Sequence, residues 1–211
     1  MENEGVYVDE DLLNEMSLNI GDRLDLLVKK IYNIAEEEFN INSTQQLAKI
    51  LFDDLKLTQI KKRSTAENVL KELVNEHELP ELILSYRKLN KLKNTYIDAL
   101  PESINKNTKR IHSTFNQTIA ATGRLSSTGP NFQNIPIRTV DGREIRKSFI
   151  AQQKNWGIFS ADYSQIELRI MAHLSEDKEL CKAFKDNLDI HDRTASLIYS
   201  VPLRDVQSEM R

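Results

Sequence analysis

The chain has 211 residues, with 29 Lys and Arg against 32 Asp and Glu, a net charge of −3, and a single cysteine, Cys181. That length can bury a core as one large domain or two small ones, and the near-balanced charge argues against global disorder. No apolar run approaches the ~18 residues of a membrane span, the acidic start Met-Glu-Asn-Glu is unlike a secretory leader, and one cysteine excludes an internal disulfide framework or a cysteine-rich zinc site, which fits a reducing compartment such as the cytoplasm.

Residues 9–100 read as helical. Leu24, Leu27, Val28, Ile31, Ile34 and Ala35 recur at spacings of three and four and share one helix face. Gly21 is expected to interrupt or precede that helix. A second helix is announced by Ser43 with Gln46 three residues on, the pattern of a capping box, and carries Leu47, Ile50, Leu51 and Leu55. Ser64 and Glu67 repeat the device before Val69, Leu70, Leu73 and Val74. A fourth helix begins near Pro80, which suits a first turn, and is expected to end at Pro101. No internal repeat or low-complexity tract is present.

The pattern changes after residue 108. Residues 110–115 are rich in β-formers and read as a strand. Residues 122–136 hold two Gly, two Pro and two Asn and support no period, so they form a long loop, which inside a compact domain usually serves a function. Residues 145–150 and 156–161 are expected as further strands, the second a short apolar run closing on Asp162. A helix follows from near Gln165, with Ile166, Ile170 and Leu174 aligned, and two more are expected at 178–186 and 191–200.

The net charge hides an asymmetry: −8 over residues 1–60, +7 over 61–148, and −2 over 149–211. A basic middle segment is the footprint of a polyanion, or else of solvated helix surfaces. Lys61, Lys62, Arg63, Ser64 and Thr65 place three cations just before a helix start. Arg124 is the one charge between Thr118 and Ile137, which suggests an aimed contact, and Gln133 and Asn134 offer donors and acceptors suited to groove edges or sugars. Asp162, at a strand end, can hold a hard divalent cation or cap the following helix. Glu167, in the first turn of that helix, is either favoured there by the helix dipole or turned into the same cleft. His191 can donate to a phosphate or sit as a half-exposed polar residue.

These strings resemble a known family. Asp162-Tyr-Ser-Gln-Ile-Glu-Leu-Arg169 is similar to motif A of the family A DNA polymerases. Thr122-Gly-Arg-Leu-Ser-Ser127 with Pro130-Asn-Phe-Gln-Asn-Ile-Pro136 resembles the family's primer–template-binding segment, and Asp189-Ile-His-Asp192 its Asp-Ile-His element, with Asp192 where Arg is common. The resemblance extends over nearly the whole chain. It implies an α+β right-hand polymerase fragment, with a helical thumb over residues 1–107 and the first part of the palm, leading to the start of the fingers, over 108–211. It implies that Asp162 and the Tyr163 carbonyl bind metal, with Asp162 and Glu167 in the catalytic set and two Mg²⁺ ions in the complete enzyme. Tyr163, Ser164, Gln165, Ile166, Glu167, His191 and Arg211 would meet the incoming nucleotide, Glu167 helping to exclude a 2′-hydroxyl. Arg124, Asn131, Gln133, Asn134, Arg138 and the Lys61–Thr65 turn would meet DNA.

The implied partners are primer–template DNA and deoxynucleoside triphosphates, for a monomer that is not membrane-bound. Arg211 falls where the family's motif B opens, and the second catalytic aspartate belongs to a later motif. The 211 residues alone are therefore expected to be inactive. The competing reading is a non-catalytic DNA-binding module that keeps thumb and loop; a nuclease using Asp162 and Glu167 fits the motif less well.

Overall fold

A computed structural model of the chain describes residues 1–210. It divides into two compact units, Met1–Ile158 and Phe159–Arg211. Helices dominate both, and among the described residues the one sheet is a two-stranded antiparallel hairpin, so the α+β expectation holds.

The first unit is built on α1 (Glu10–Ala35), a helix of 26 residues. Asp9 caps it, accepting from the Leu12 amide at 3.0 Å, so one orphan donor of the first turn is satisfied. Leu13, Ile20, Leu24 and Ile31 are its buried residues. Gly21 does not interrupt it. An interior glycine costs a helix only ~1 kcal/mol, well within what this packing supplies.

Short α2 (Thr44–Lys49) starts as expected, with the Ser43 hydroxyl accepting from the Gln46 amide at 3.4 Å. The Gln46 side chain accepts from the Asn40 amide at 2.6 Å instead of returning to Ser43, so the box is only half made. A wide turn, Ile50–Asp54, continues it. Helix α3 (Glu67–Leu73) starts two residues later than Ser64 would place it: Ala66 holds the cap position without a side-chain bond, and the Ser64 hydroxyl accepts from the Ala66 amide at 3.3 Å in the turn before it. Helix α4 (Leu79–Leu92) does begin around Pro80 and lies against α1 and α3. After the wide turn Lys93–Ile97, Pro101 falls inside α5 (Ala99–Glu102) and does not terminate it, since a helix's first turn needs no amide there.

Two apolar clusters hold this unit. One gathers Ile31 with Leu47, Leu51, Leu70, Leu73 and Ile83; the other gathers Leu13, Ile20, Ile97, Leu100, Ile111 and Ile145. Between them, Lys93 Nζ reaches Ser17 Oγ at 2.6 Å and Asp98 Oδ2 at 2.8 Å, while Ser17 donates to Asp98 at 2.7 Å. This half-buried group ties α1 to the turn after α4.

Strand β1 (Thr114–Asn116) pairs with β2 (Ser126–Thr128), with Phe115 opposite Ser127. The expected strand at 110–115 is thus displaced: Ile111 makes only single bridges, to Val6 and Ile104, and the ladder starts at Thr114. Residues 145–150 are no strand. Thr139 caps α6 (Val140–Lys147), and Ile145 is buried from a helix face. In its first turn, a Cβ on Gly142 would lie 2.6 Å from the Pro136 side chain, so only glycine fits. Trp156–Ala161 carries no strand or bridge, and the Trp156 amide closes a local turn by donating to the Gln153 carbonyl at 2.9 Å. A strand exists only where a neighbouring strand takes up its amides and carbonyls, and among the described residues no ladder forms here.

The second unit contains α7 (Ile166–Ser175), α8 (Lys178–Lys185) and α9 (Ile190–Tyr199), close to expectation. Its buried residues, Ala172, Ala183, Ile190 and Ala195, are mostly small, while Leu174, Leu197 and Ile198 are each more than 70% exposed. Its apolar surface is largely uncovered.

Ile83 is fully buried where α4 meets the first cluster. Ile83→Ala should destabilise the first unit by ~2–5 kcal/mol, the usual cost of such a cavity, read as a lower midpoint in urea with an unchanged slope.

Candidate functional site

The loop that resembles a primer–template segment is a built object. Ser113 and Ser127 are both buried, and their hydroxyls meet at 2.7 Å. Each hydroxyl also lies within hydrogen-bonding distance of the Pro130 carbonyl, at 2.7 and 3.1 Å, so one serine donates to that carbonyl while the other donates to its partner hydroxyl. The Phe132 amide donates back to Ser127 Oγ at 3.2 Å. Asn131 caps the turn Phe132–Asn134 by accepting from the Gln133 amide at 2.9 Å, and Tyr96 Oη donates to the Asn134 carbonyl at 2.5 Å. Gly123, at φ 75°, supplies the left-handed turn before Arg124. Arg124, Asn131, Gln133, Asn134 and Arg138 all keep exposed surface in this stretch of the chain.

The Lys61–Thr65 turn differs from a simple cationic tip. Arg63 makes a two-pronged pair with Asp53, the second contact at 2.7 Å. The hydrogen bond and charge of Arg63 hold the Asp53 carboxyl below the usual carboxylate range, and Arg63 is raised in return. Thr65 is buried, and its carbonyl accepts from Arg87 at 2.6 Å; burial lowers the Arg87 pKa. Arg87 was invisible to sequence reading because it lies 22 residues from its partner, inside a helical stripe. An open cavity of about 830 Å³ lies between this turn and α2, with Asn42, Gln45, Ser64 and Arg87 on its walls. Lys61 and Lys62 stay exposed.

In the second unit, Asp162 lies in an exposed loop, and its carboxylate makes no hydrogen bond or ion pair among the described residues. It does not cap α7. That place belongs to Gln165, in a left-handed conformation at φ 52° with no side-chain cap. Arg169 steadies the turn instead, donating from Nε to the Ser164 carbonyl at 2.9 Å while its guanidinium lies 4.6 Å from the Phe184 ring centroid. Tyr163 is 79% exposed, and Ile166 and Glu167 open the first turn of α7. Asp189 caps α9, accepting from the His191 amide at 2.8 Å and the Asp192 amide at 3.3 Å, which leaves the imidazole at the surface of the first turn. The Asp189 role went unread because a cap and a site motif use the same residue. Arg211 lies outside the described residues.

Among the described residues no three His, Cys, Asp or Glu come together as a metal cage. Magnesium does not ask for one: it commonly takes one or two protein carboxylates and completes its shell with substrate phosphates and water. An exposed carboxylate without an internal partner suits that role.

The family model described as DNA polymerase family A matches residues 10–211. The chain belongs to DNA polymerase family A. It is 49% identical over 217 residues to DNA polymerase I of Pseudomonas aeruginosa and 47% over 215 residues to that of Geobacillus stearothermophilus, in each case across all of this chain and 24% of the relative. It is 46% identical to the thermostable DNA polymerase I of Thermus aquaticus, across 26% of that protein. The chain thus spans about a quarter of the length of these relatives. Among solved structures, the POL domain of Pol1 from M. smegmatis, in complex with DNA primer-template and dNTP, matches 98% of this chain and 37% of its own, at a TM-score of 0.84 and 40% identity.

Because the Asp53 carboxyl is held low by Arg63, the pair should persist as pH falls past the ordinary aspartate range near ~3.9 and release only below it. A carboxyl-carbon NMR titration should give Asp53 a midpoint below its value in Arg63→Ala.

Proposed function

We propose that the chain is the thumb and first part of the palm of a DNA-directed DNA polymerase, adding deoxynucleotides to a primer 3′ end under template direction. The observation that carries this is the likeness over 98% of the chain to a polymerase domain solved with DNA primer-template and dNTP. The division at residues 107 and 108 into thumb and palm belongs to the same reading.

In this reading the hairpin and its loop hold the duplex. Arg124 reaches the groove at the primer terminus, Asn131, Asn134 and Arg138 meet backbone and sugar, and Lys61 and Lys62 grip phosphates from the thumb. Cations and amides at phosphate and sugar fix register without reading sequence, which leaves the reading to base pairing. Asp162 and the Tyr163 carbonyl offer oxygens to magnesium. When bound, a pair of such ions activates the primer 3′-oxygen and stabilises the departing pyrophosphate. Gln165, Ile166 and Glu167 border the sugar, where the Glu167 side chain disfavours a 2′-hydroxyl. His191, at the exposed first turn of α9, donates to the triphosphate. The enzyme works in the cytoplasm as a monomer.

The resemblance assigns the second catalytic aspartate to a motif these 211 residues do not contain, so the polypeptide by itself should extend no primer. A chimera is the direct test, with residues 1–211 replacing the matching quarter of the Geobacillus stearothermophilus enzyme. It should extend a primer, and Asp162→Ala should cut the rate more than about a hundredfold, since even outer-shell partners of a metal cost ~10–100-fold. Duplex affinity should barely change. Normal synthesis by that variant would overturn the proposal. Separately, Arg124→Ala in the 211-residue chain should weaken primer–template binding by ~1–3 kcal/mol in fluorescence anisotropy, the scale of one aimed arginine contact.

A further inference from the structure

Gln133 invites a place in the DNA contact set, because its amide both donates and accepts. Yet both ends of that amide are already engaged inside the loop. Oε1 accepts from the Ser127 amide at 3.1 Å, and Nε2 donates to the Leu125 carbonyl at 2.9 Å.

The geometry of this pair is that of a sheet edge. In an extended chain, the carbonyl of one residue and the amide of the residue two further on point the same way, and successive residues alternate between the two edges. Ser126 and Thr128 sit opposite Asn116 and Thr114 in the hairpin register. The Leu125 carbonyl and Ser127 amide belong to the other edge of β2. The Gln133 amide stands there as a single peptide group of a third strand would.

The side chain also starts from a fixed base. The Gln133 amide is bound to Asn131, the Phe132 amide to Ser127 Oγ, and the Asn134 carbonyl to Tyr96. A rigid tie therefore ends on the residue next to Arg124. Removing it frees the outer edge of β2 at Leu125 and Ser127, the segment that follows Arg124.

We propose that Gln133 is a positioning residue: it holds the Arg124–Ser127 segment in the shape that lets Arg124 meet the duplex, and does not itself recognise DNA. The inference rests on the reading of Arg124 given above.

Two measurements on the 211-residue chain test it. The first is amide hydrogen exchange. Gln133→Ala should speed exchange at Ser127 by about tenfold, the scale of one lost hydrogen bond, while Leu51 and Ile83 in the helical core stay protected. Gln133→Glu keeps the acceptor for Ser127 and loses the donor to Leu125, so it should protect Ser127 better than alanine does. Unchanged Ser127 exchange in Gln133→Ala would overturn the proposal. If that variant loses protection everywhere, Gln133→Glu decides: with Leu51 and Ile83 still protected, Ser127 exchange should stay close to wild type, and fast exchange there would overturn the proposal.

The second is a double-mutant cycle with a recessed primer–template duplex, read by anisotropy. A residue that acts through Arg124 should weaken binding several-fold when Arg124 is present and add nothing in Arg124→Ala. Losses that multiply would make Gln133 an independent DNA contact and refute the positioning role. If Arg124→Ala binds like wild type, or the chain binds no duplex, the reading of Arg124 fails, while Ser127 exchange still decides whether Gln133 holds the strand.

Discussion

Helix α1 contributes to both apolar clusters of the first unit: Ile31 to one, Leu13, Ile20 and Leu24 to the other. At 1.5 Å per residue its 26 residues span about 39 Å, so one rigid rod carries the helical arm at one end and the loop-bearing region at the other. Helix α4 packs along it, and the Lys93–Asp98–Ser17 group stops the two from sliding. A pair of charges this close in a half-buried site is held by hydrogen bonds from both sides, and side-chain freedom is lost once for three residues together. The turn fixed in this way carries Tyr96, whose hydroxyl holds the Asn134 carbonyl.

Farther along the chain, order is kept by polar atoms as well. The segment from Gly123 to Pro136 is anchored by Ile135 and Phe132 at the second cluster, and its turns are tied by the Ser113 and Ser127 hydroxyls, the Pro130 carbonyl, and the Asn131 and Gln133 amides. Such a network is directional where apolar contact is not. It fixes angles as well as distances, which the proposed presentation of Arg124 to a duplex would require. Tyr96 joins the two kinds of order: its ring lies in the second cluster and its hydroxyl grips Asn134.

Much of this was legible in the residues. The helices of the arm came from three-and-four spacing, Ser43 from its cap pattern, and the long loop from its lack of any period. What failed failed for physical reasons. Gly21 was read as a break, but local propensity is a small quantity beside the burial of Ile20 and Leu24. Ser64 looked like a cap, and its hydroxyl does bond the Ala66 amide, but the helix begins at Glu67, two residues later than a cap there would place it. Trp156–Ala161 has strand composition without a strand partner, because composition states a preference and a ladder needs a second chain segment. Arg87 to Thr65, Arg169 to Ser164 and Gln133 to β2 are pairings of side chain with backbone, which no residue pattern encodes. Asp162 was picked out by its motif, while its exposure and the capping of α7 by Gln165 came only from the fold.

The crowding of Gly142 against Pro136 has a bearing on anyone who would harden this protein against heat. Replacing a helical glycine by alanine is a standard gain of up to ~1 kcal/mol, because it removes freedom from the unfolded chain. At this position the added methyl has nowhere to go, since the first turn of α6 is pressed onto the proline that ends the Gly123–Pro136 loop. A survey ranking substitutions by helix preference alone would choose this site early and loosen the very segment it meant to stiffen.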